Sequence, residues 1–250
     1  MPVFHHGPVE LAFLDEGAGE PIVLVHGFAS SKEVNWVQPG WAATLKAAGR
    51  RVIALDNRGH GQSSKLYEAR DYHTAKMAGD VRALLDHLKI ERADVMGYSM
   101  GARIVAFLAL EHPERVRSMV LGGLGMHLID GVGLPESIAE ALEAPSLADV
   151  TDPQGRLFRA FADQTKSDRR ALAACIRGSR QVLTREQAAS IQTPTLIAVG
   201  SKDPIAGSGD ELASAMPRAM ALVIPGRDHM LAVGDKVFKA GVLHFLEATS

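Results

Sequence analysis

Covalent chemistry in this 250-residue chain starts at a glycine-flanked serine, Gly97-Tyr98-Ser99-Met100-Gly101. The run closes a strand-like apolar stretch, Ala93 to Tyr98, and opens a small-residue stretch to Leu110 that reads as a largely buried helix. A turn this sharp between strand and helix leaves no space for Cβ atoms at its flanks, hence the two glycines. It would lift the Ser99 hydroxyl clear of the sheet, with the helix N–H groups facing any negative charge that develops there. A serine hydroxyl is a poor nucleophile by itself and needs a base to take its proton.

Ten histidines compete for that role. His5, His6, His73, His87 and His112 read as surface or capping residues, and His244 falls inside the closing helix and should pack there. His229 differs. It sits in Gly226-Arg227-Asp228-His229-Met230, between the last apolar run and the last helix, and loops beyond strand ends are where open α/β sheets build sites. An imidazole base needs an acid to fix its tautomer. Asp203, in Gly200-Ser201-Lys202-Asp203-Pro204, follows a strand-like run in the equivalent place. Asp228 is the alternative, but sequence neighbours usually point their side chains apart, so Asp203 is favoured.

The elements that must carry these residues alternate short apolar runs with amphipathic stretches, the pattern of a mostly parallel sheet covered by helices. Strands are expected over Val9 to Leu14, Pro21 to His26, Arg51 to Leu55, Ala93 to Tyr98, Ser118 to Gly122, Pro194 to Val199 and Met220 to Ile224, apolar enough to be buried on both faces. Thr74 to Lys89 sets Met77, Val81, Leu84, Leu85 and Leu88 on one helical stripe, and Asp235 to Leu246 makes a similar closing helix. From residue 125 to residue 191 the rhythm breaks into helix-like pieces, Pro135 to Glu143, Gln154 to Gln164 and Asp168 to Arg177. The expected organisation is a core of residues 1–124 and 192–250 with a helical cap insertion at 125–191.

Five segments, in order, resemble the α/β-hydrolase fold family over essentially the whole chain: His26-Gly27-Phe28, Asp56 to Ser63, the Ser99 run, the Gly200 to Pro204 loop and the Gly226 to Met230 turn. The resemblance implies the family fold and an oxyanion hole made by the backbone N–H groups of Phe28 and Met100. It also implies that His26, Arg58 and His60 brace loops around the site and that Asp56 anchors its own. Haloalkane dehalogenases and epoxide hydrolases of the family need an aspartate where Ser99 stands, and proline iminopeptidases a Gly-Gly-Pro-Gly continuation that His26-Gly27-Phe28-Ala29 lacks. A serine with this base implies an acyl-enzyme hydrolysed by water, and the leading expectation is a carboxylesterase acting on small to medium esters. Enol-lactonases, carbon–carbon bond hydrolases, cofactor-free perhydrolases and slow-turnover receptors share the scaffold and stay open.

Leu124, Met126 and Ile129 lead into the insertion, and Leu157, Phe158 and Phe161 cluster within it; helical spacing makes them core residues first and substrate contacts second. Ile205 and Met230, beside the acid and the base, are stronger pocket candidates. Hydrophobic residues make up 46% and charged residues 22% of the chain, enough for a sizeable core. A formal net charge of −2 gives no reason to expect nucleic acid or an anionic membrane as partner. No metal-ligand spacing or GxGxxG fingerprint appears, so no cofactor or metal is indicated. The single cysteine, Cys175, allows no intrachain disulfide, and Met1 to His6 does not read as a signal peptide, so a cytoplasmic protein acting on a small-molecule ester is expected. The oligomeric state is not encoded in any feature of the sequence.

Overall fold

A computed structural model describes residues 2–249. Eight strands form one sheet: β1 (Val3–His6), β2 (Val9–Glu16), β3 (Pro21–Val25), β4 (Arg51–Leu55), β5 (Ala93–Tyr98), β6 (Val116–Gly122), β7 (Thr195–Gly200) and β8 (Ala219–Ile224). Their order across the sheet is β1-β2-β4-β3-β5-β6-β7-β8. β1 and β2 run antiparallel to their neighbours, and all other pairs are parallel. The chain leaves β3 toward β4 and leaves β5 toward β6, on the opposite side. A crevice therefore opens between the ends of β3 and β5, where doubly wound sheets place their ligands. Val25 pairs with Gly97 at that junction, which brings the segment after β3 beside Ser99.

Alternation along the strands feeds two cores. Ile22 and Leu24 of β3 point to the face covered by α1 (Trp41–Ala47) and the closing helix, with Trp36, Trp41 and Phe238. Val23 and Val25 point to the other face, under α2 (Thr74–His87) and α3 (Met100–Glu111). Each such side chain, fully buried, contributes about 1.5–3 kcal/mol relative to exposure. Every residue of α3 from Met100 to Ala109 is buried, as its small-residue sequence requires.

After β6 come the helices of the insertion: α4 (Ser137–Glu143), α5 (Pro153–Gln164), α6 (Arg169–Gly178) and α7 (Arg185–Ser190). The side chains of Asp152, Asp168 and Thr184 each cap the helix that follows. Two more helices complete the chain: α8 (Gly209–Ala215) and α9 (Lys236–Ala248).

The structure departs from expectation in particular places. β1, α1, α7 and α8 were not anticipated, because four to seven residues give too few periods to read. β8 is not buried on both faces: Met220 is 56% and Val223 50% exposed, since β8 is the last strand and has a neighbour on one side only. His244 does not pack into the core but lies exposed on α9, whose buried stripe is Phe238, Val242, Phe245 and Leu246. His6 is more than a surface group, for its Nδ1 meets Asp80 Oδ1 at 2.7 Å. No helix among the described residues is long and apolar enough to cross a membrane.

Candidate active site

Ser99 sits at the turn from β5 into α3 with φ +53° and ψ −113°, a conformation that L residues rarely adopt. Such strain costs of order 1–3 kcal/mol and is held by the packing around it. The glycines show how. A Cβ on Gly97 would overlap the backbone of Gly101, and one on Gly101 would overlap the Val25 carbonyl. The Ser99 N–H donates to Gly122 O at 2.8 Å, fixing the turn to β6.

His229 lies in the turn after β8, 6% exposed. Its Nδ1 is 2.8 Å from Asp203 Oδ2 and its Nε2 3.0 Å from Ser99 Oγ. A carboxylate can only accept, so Nδ1 carries the proton and Nε2 is left to accept from the Ser99 hydroxyl. Asp203 is itself fixed, its Oδ1 accepting from the N–H groups of Ile205 and Ala206 at 2.8 and 3.1 Å. Asp228 is engaged elsewhere: its Oδ1 caps the N–H groups of Met230 and Leu231 at 3.1 and 2.8 Å. Tyr98, next to the serine, donates its hydroxyl to the His229 carbonyl at 2.6 Å, and burial, with Asp203 and Asp228 adding to it, raises the phenol above its ordinary range.

The segment after β3 passes close to the serine. A Cβ on Gly27 would stand 3.2 Å from Tyr98 O, tighter than most side chains come, and in van der Waals contact with Ser99 Cβ at 3.5 Å. Among the described residues, neither the Phe28 N–H nor the Met100 N–H has a protein acceptor. Both residues line the space beside Ser99.

Behind Phe28 stands a layer of neutral imidazoles. His60 accepts the Ala29 N–H on Nε2 at 3.2 Å, and its Nδ1–H donates to Arg58 O at 2.9 Å. His26 accepts the Asn57 N–H on Nε2 at 3.0 Å and donates from Nδ1 to Gly27 O at 2.8 Å. With one nitrogen donating and the other accepting, each ring is held uncharged. Burial pushes His60 down to about 3 and lowers His26 as well. Asp56 accepts from the backbone N–H and the buried ammonium of Lys32 at 2.8 and 2.6 Å, and Arg58 forks onto Asp80 with two 2.7 Å bonds. These residues hold loops and do not reach the serine.

Two cavities meet at Ser99. The smaller is lined by Leu124, Ile205 and, unanticipated, by Arg103, Val132, Ile176 and Ser179; the larger by Phe158, Phe161, Met230 and, unanticipated, by Val34, Asn35, Leu134 and Val233. Leu157 lines neither: it is 54% exposed on the outer side of α5. Met126, 3% exposed, and the half-buried Ile129 belong to the core behind the site. Tyr98 and Arg103 could have been found from sequence, standing one residue before and four after the serine. The insertion residues could not, because their facing depends on how four short helices pack.

Arg103 deserves its position through its acceptors. Its guanidinium donates to the carbonyls of His127, Gln181 and Gly131 at 2.6, 2.9 and 3.2 Å, with Leu128 at 3.4 Å. These carbonyls come from both ends of the insertion, so one side chain on the serine's own helix fastens it. Burial, with Arg180 nearby, brings Arg103 down to about 10. His127, the tenth histidine, donates from Nδ1 to Ile205 O at 2.6 Å and so ties the Asp203 loop to the same root. No group of three His, Cys, Asp or Glu among the described residues could hold a metal ion.

Comparison with known proteins adds the family. The family model of the alpha/beta hydrolase fold matches residues 20–132. The acetyltransferase component of the acetoin cleaving system of Pseudomonas putida is 36% identical over 231 residues, covering 85% of this chain and 59% of that protein. A 2-hydroxymuconate semialdehyde hydrolase of Pseudomonas sp. (strain CF600) is 37% identical over 153 residues, covering 59% of this chain and 50% of that one. The matched part of the chain thus spans little more than half the length of these curated relatives. A solved hydrolase from Pseudomonas aeruginosa PA01 superposes with a TM-score of 0.79 at 28% identity, covering 98% of this chain and 97% of the other. With its eight-stranded, mostly parallel sheet and the helices that follow β6, the chain belongs to the α/β-hydrolase fold family.

Proposed function

We propose that the chain hydrolyses small to medium carboxylic esters through an acyl-enzyme on Ser99, with His229 as base and Asp203 as the acid that orients it. The observation that carries this reading is the unbroken line from Asp203 Oδ2 to His229 at 2.8 Å and on to Ser99 Oγ at 3.0 Å. As Oγ attacks the ester carbonyl, its proton passes to Nε2, and the Asp203 carboxylate stabilises the imidazolium. The former carbonyl oxygen takes the charge and accepts from the Phe28 and Met100 N–H groups, an interaction worth ~10²–10³-fold in rate per donor. The imidazolium then protonates the departing alkoxide. In the second half His229 draws a proton from water, which displaces the acid from Ser99.

The insertion, residues 125–191, acts in this reading as the cap of a small-molecule site, since it supplies Leu134, Phe158, Phe161 and Ile176 to the cavities. A cytoplasmic setting fits the lone, buried Cys175 thiol, pushed up to about 12 by burial. The likeness to a 2-hydroxymuconate semialdehyde hydrolase favours a second reading, in which the bond broken is carbon–carbon and the leaving group a carbanion equivalent.

Covalent labelling by a fluorophosphonate tests the proposal. Wild type should be labelled on Ser99 and Ser99→Ala not at all; labelling of the variant at full rate would remove Ser99 from the chemistry. Steady-state turnover of aryl esters, against a single equivalent of product release, separates an enzyme from a slow-turnover receptor.

A further inference from the structure

The two cavities at Ser99 are not equivalent, and the difference assigns the two halves of the substrate. Ser99, Phe28 and Leu134 line both; Met100 lines only the smaller, and His229 only the larger. His229 must deliver its proton to the departing atom, so the leaving group has to lie on the His229 side. The acyl group, bonded to Ser99 through the carbon whose oxygen faces the Met100 N–H, is then directed into the other cavity.

We infer that the small cavity lined by Ile176, Ser179 and Arg103 is the acyl pocket and the cleft beside His229 the leaving-group pocket, so that this chain takes esters of short acids with longer, apolar alcohols. This rests on the acyl-transfer reading above. The free volume is about 40 Å³ on the acyl side and about 190 Å³ on the leaving-group side. At ~10–15 Å³ per water on that measure, the acyl side holds the equivalent of roughly three waters, enough for a tail of about two to four heavy atoms. The part of the wall made by Arg103 cannot yield easily. Arg103 is 4% exposed and pinned by backbone carbonyls from both roots of the insertion, and a longer alkyl chain would press against a buried charge. The other cleft is the larger, and Phe158, Phe161, Val34, Met230 and Val233 give it an apolar wall.

Two isomeric esters, heptyl acetate and methyl octanoate, test the assignment with equal composition and nearly equal hydrophobicity. Wild type should favour heptyl acetate at least tenfold in kcat/KM. Ile176→Ala should shift the ratio of kcat/KM for methyl octanoate to that for heptyl acetate at least fivefold toward methyl octanoate, and Val132→Ala provides the same readout should the first variant not fold. Equal rates, the reverse order, or no turnover of either isomer in a protein whose Ser99 still reacts with fluorophosphonate overturns the assignment. Absence of that reaction overturns the acyl-transfer reading itself.

Discussion

Acidification should destabilise this protein through His60, and the size of the effect follows from its surroundings. The ring is 1% exposed, uses Nε2 to accept the Ala29 N–H and Nδ1 to donate to Arg58 O, and has its pKa pushed down to about 3 from 6.5. A proton on Nε2 would set two donors face to face, one of them in the segment that presents Phe28. Between pH 6.5 and about 3 the unfolded chain therefore binds a proton that the native chain refuses, and stability falls as pH falls through that window. Each pH unit below 6.5 costs about 1.4 kcal/mol, so His60 alone removes about 2 kcal/mol by pH 5 relative to pH 8. His26 is lowered by burial too and acts in the same direction. Urea denaturation followed by tryptophan fluorescence, with Trp36 and Trp41 both fully buried, measures the loss. The control is His60→Gln, whose amide oxygen can still accept the Ala29 N–H but does not titrate. The variant should be the weaker protein at pH 8, and its deficit against wild type should shrink by about 2 kcal/mol at pH 5. Two stability curves that stay parallel from pH 8 to pH 5 would refute the reasoning, as would a native His60 that titrates near 6.5 by NMR.

Asp203→Asn should lower kcat by up to ~10⁴-fold, because an amide in place of the carboxylate no longer fixes the Nδ1–H tautomer. Asp228→Asn should stay within a few fold, since Asp228 only caps the turn at Met230 and Leu231; the opposite ranking in aryl-ester kinetics would exchange their roles. Gly101→Ala should destabilise the fold by about 3 kcal/mol or more, because its Cβ would overlap the Val25 and His26 carbonyls; a melting temperature unchanged from wild type would contradict that packing.

How much of the site was legible beforehand depended on the distance over which each residue gets its meaning. The Ser99 turn is local: its glycines, the strand before it and the helix after it are contiguous, and the strain they enforce appears as a φ of +53°. The preference for Asp203 over Asp228 rested on a local argument too, that neighbours in sequence point their side chains apart, and Asp203 is the carboxylate that meets His229. Leu157 failed as a pocket residue for the opposite reason. Periodicity places it beside Phe158, but which of the two faces the cleft is set by how α5 lies against the rest of the insertion. The exposed His244 and the half-exposed β8 were missed alike, since an apolar neighbourhood in sequence does not tell an edge from a centre.

The sequence by itself determined the alternation of strands and helices, the buried helix behind Ser99 and the loops that carry Asp203 and His229, because each follows from propensities and spacing within a dozen residues. Only the tertiary structure decided that three side chains separated by up to 130 positions meet within 3.0 Å, that Arg103 fastens both roots of the insertion, and that the space around Ser99 divides into a small and a large cavity. Those are properties of volume and approach. They arise where non-local surfaces pack against one another, and a linear pattern carries no measure of the gap left between them.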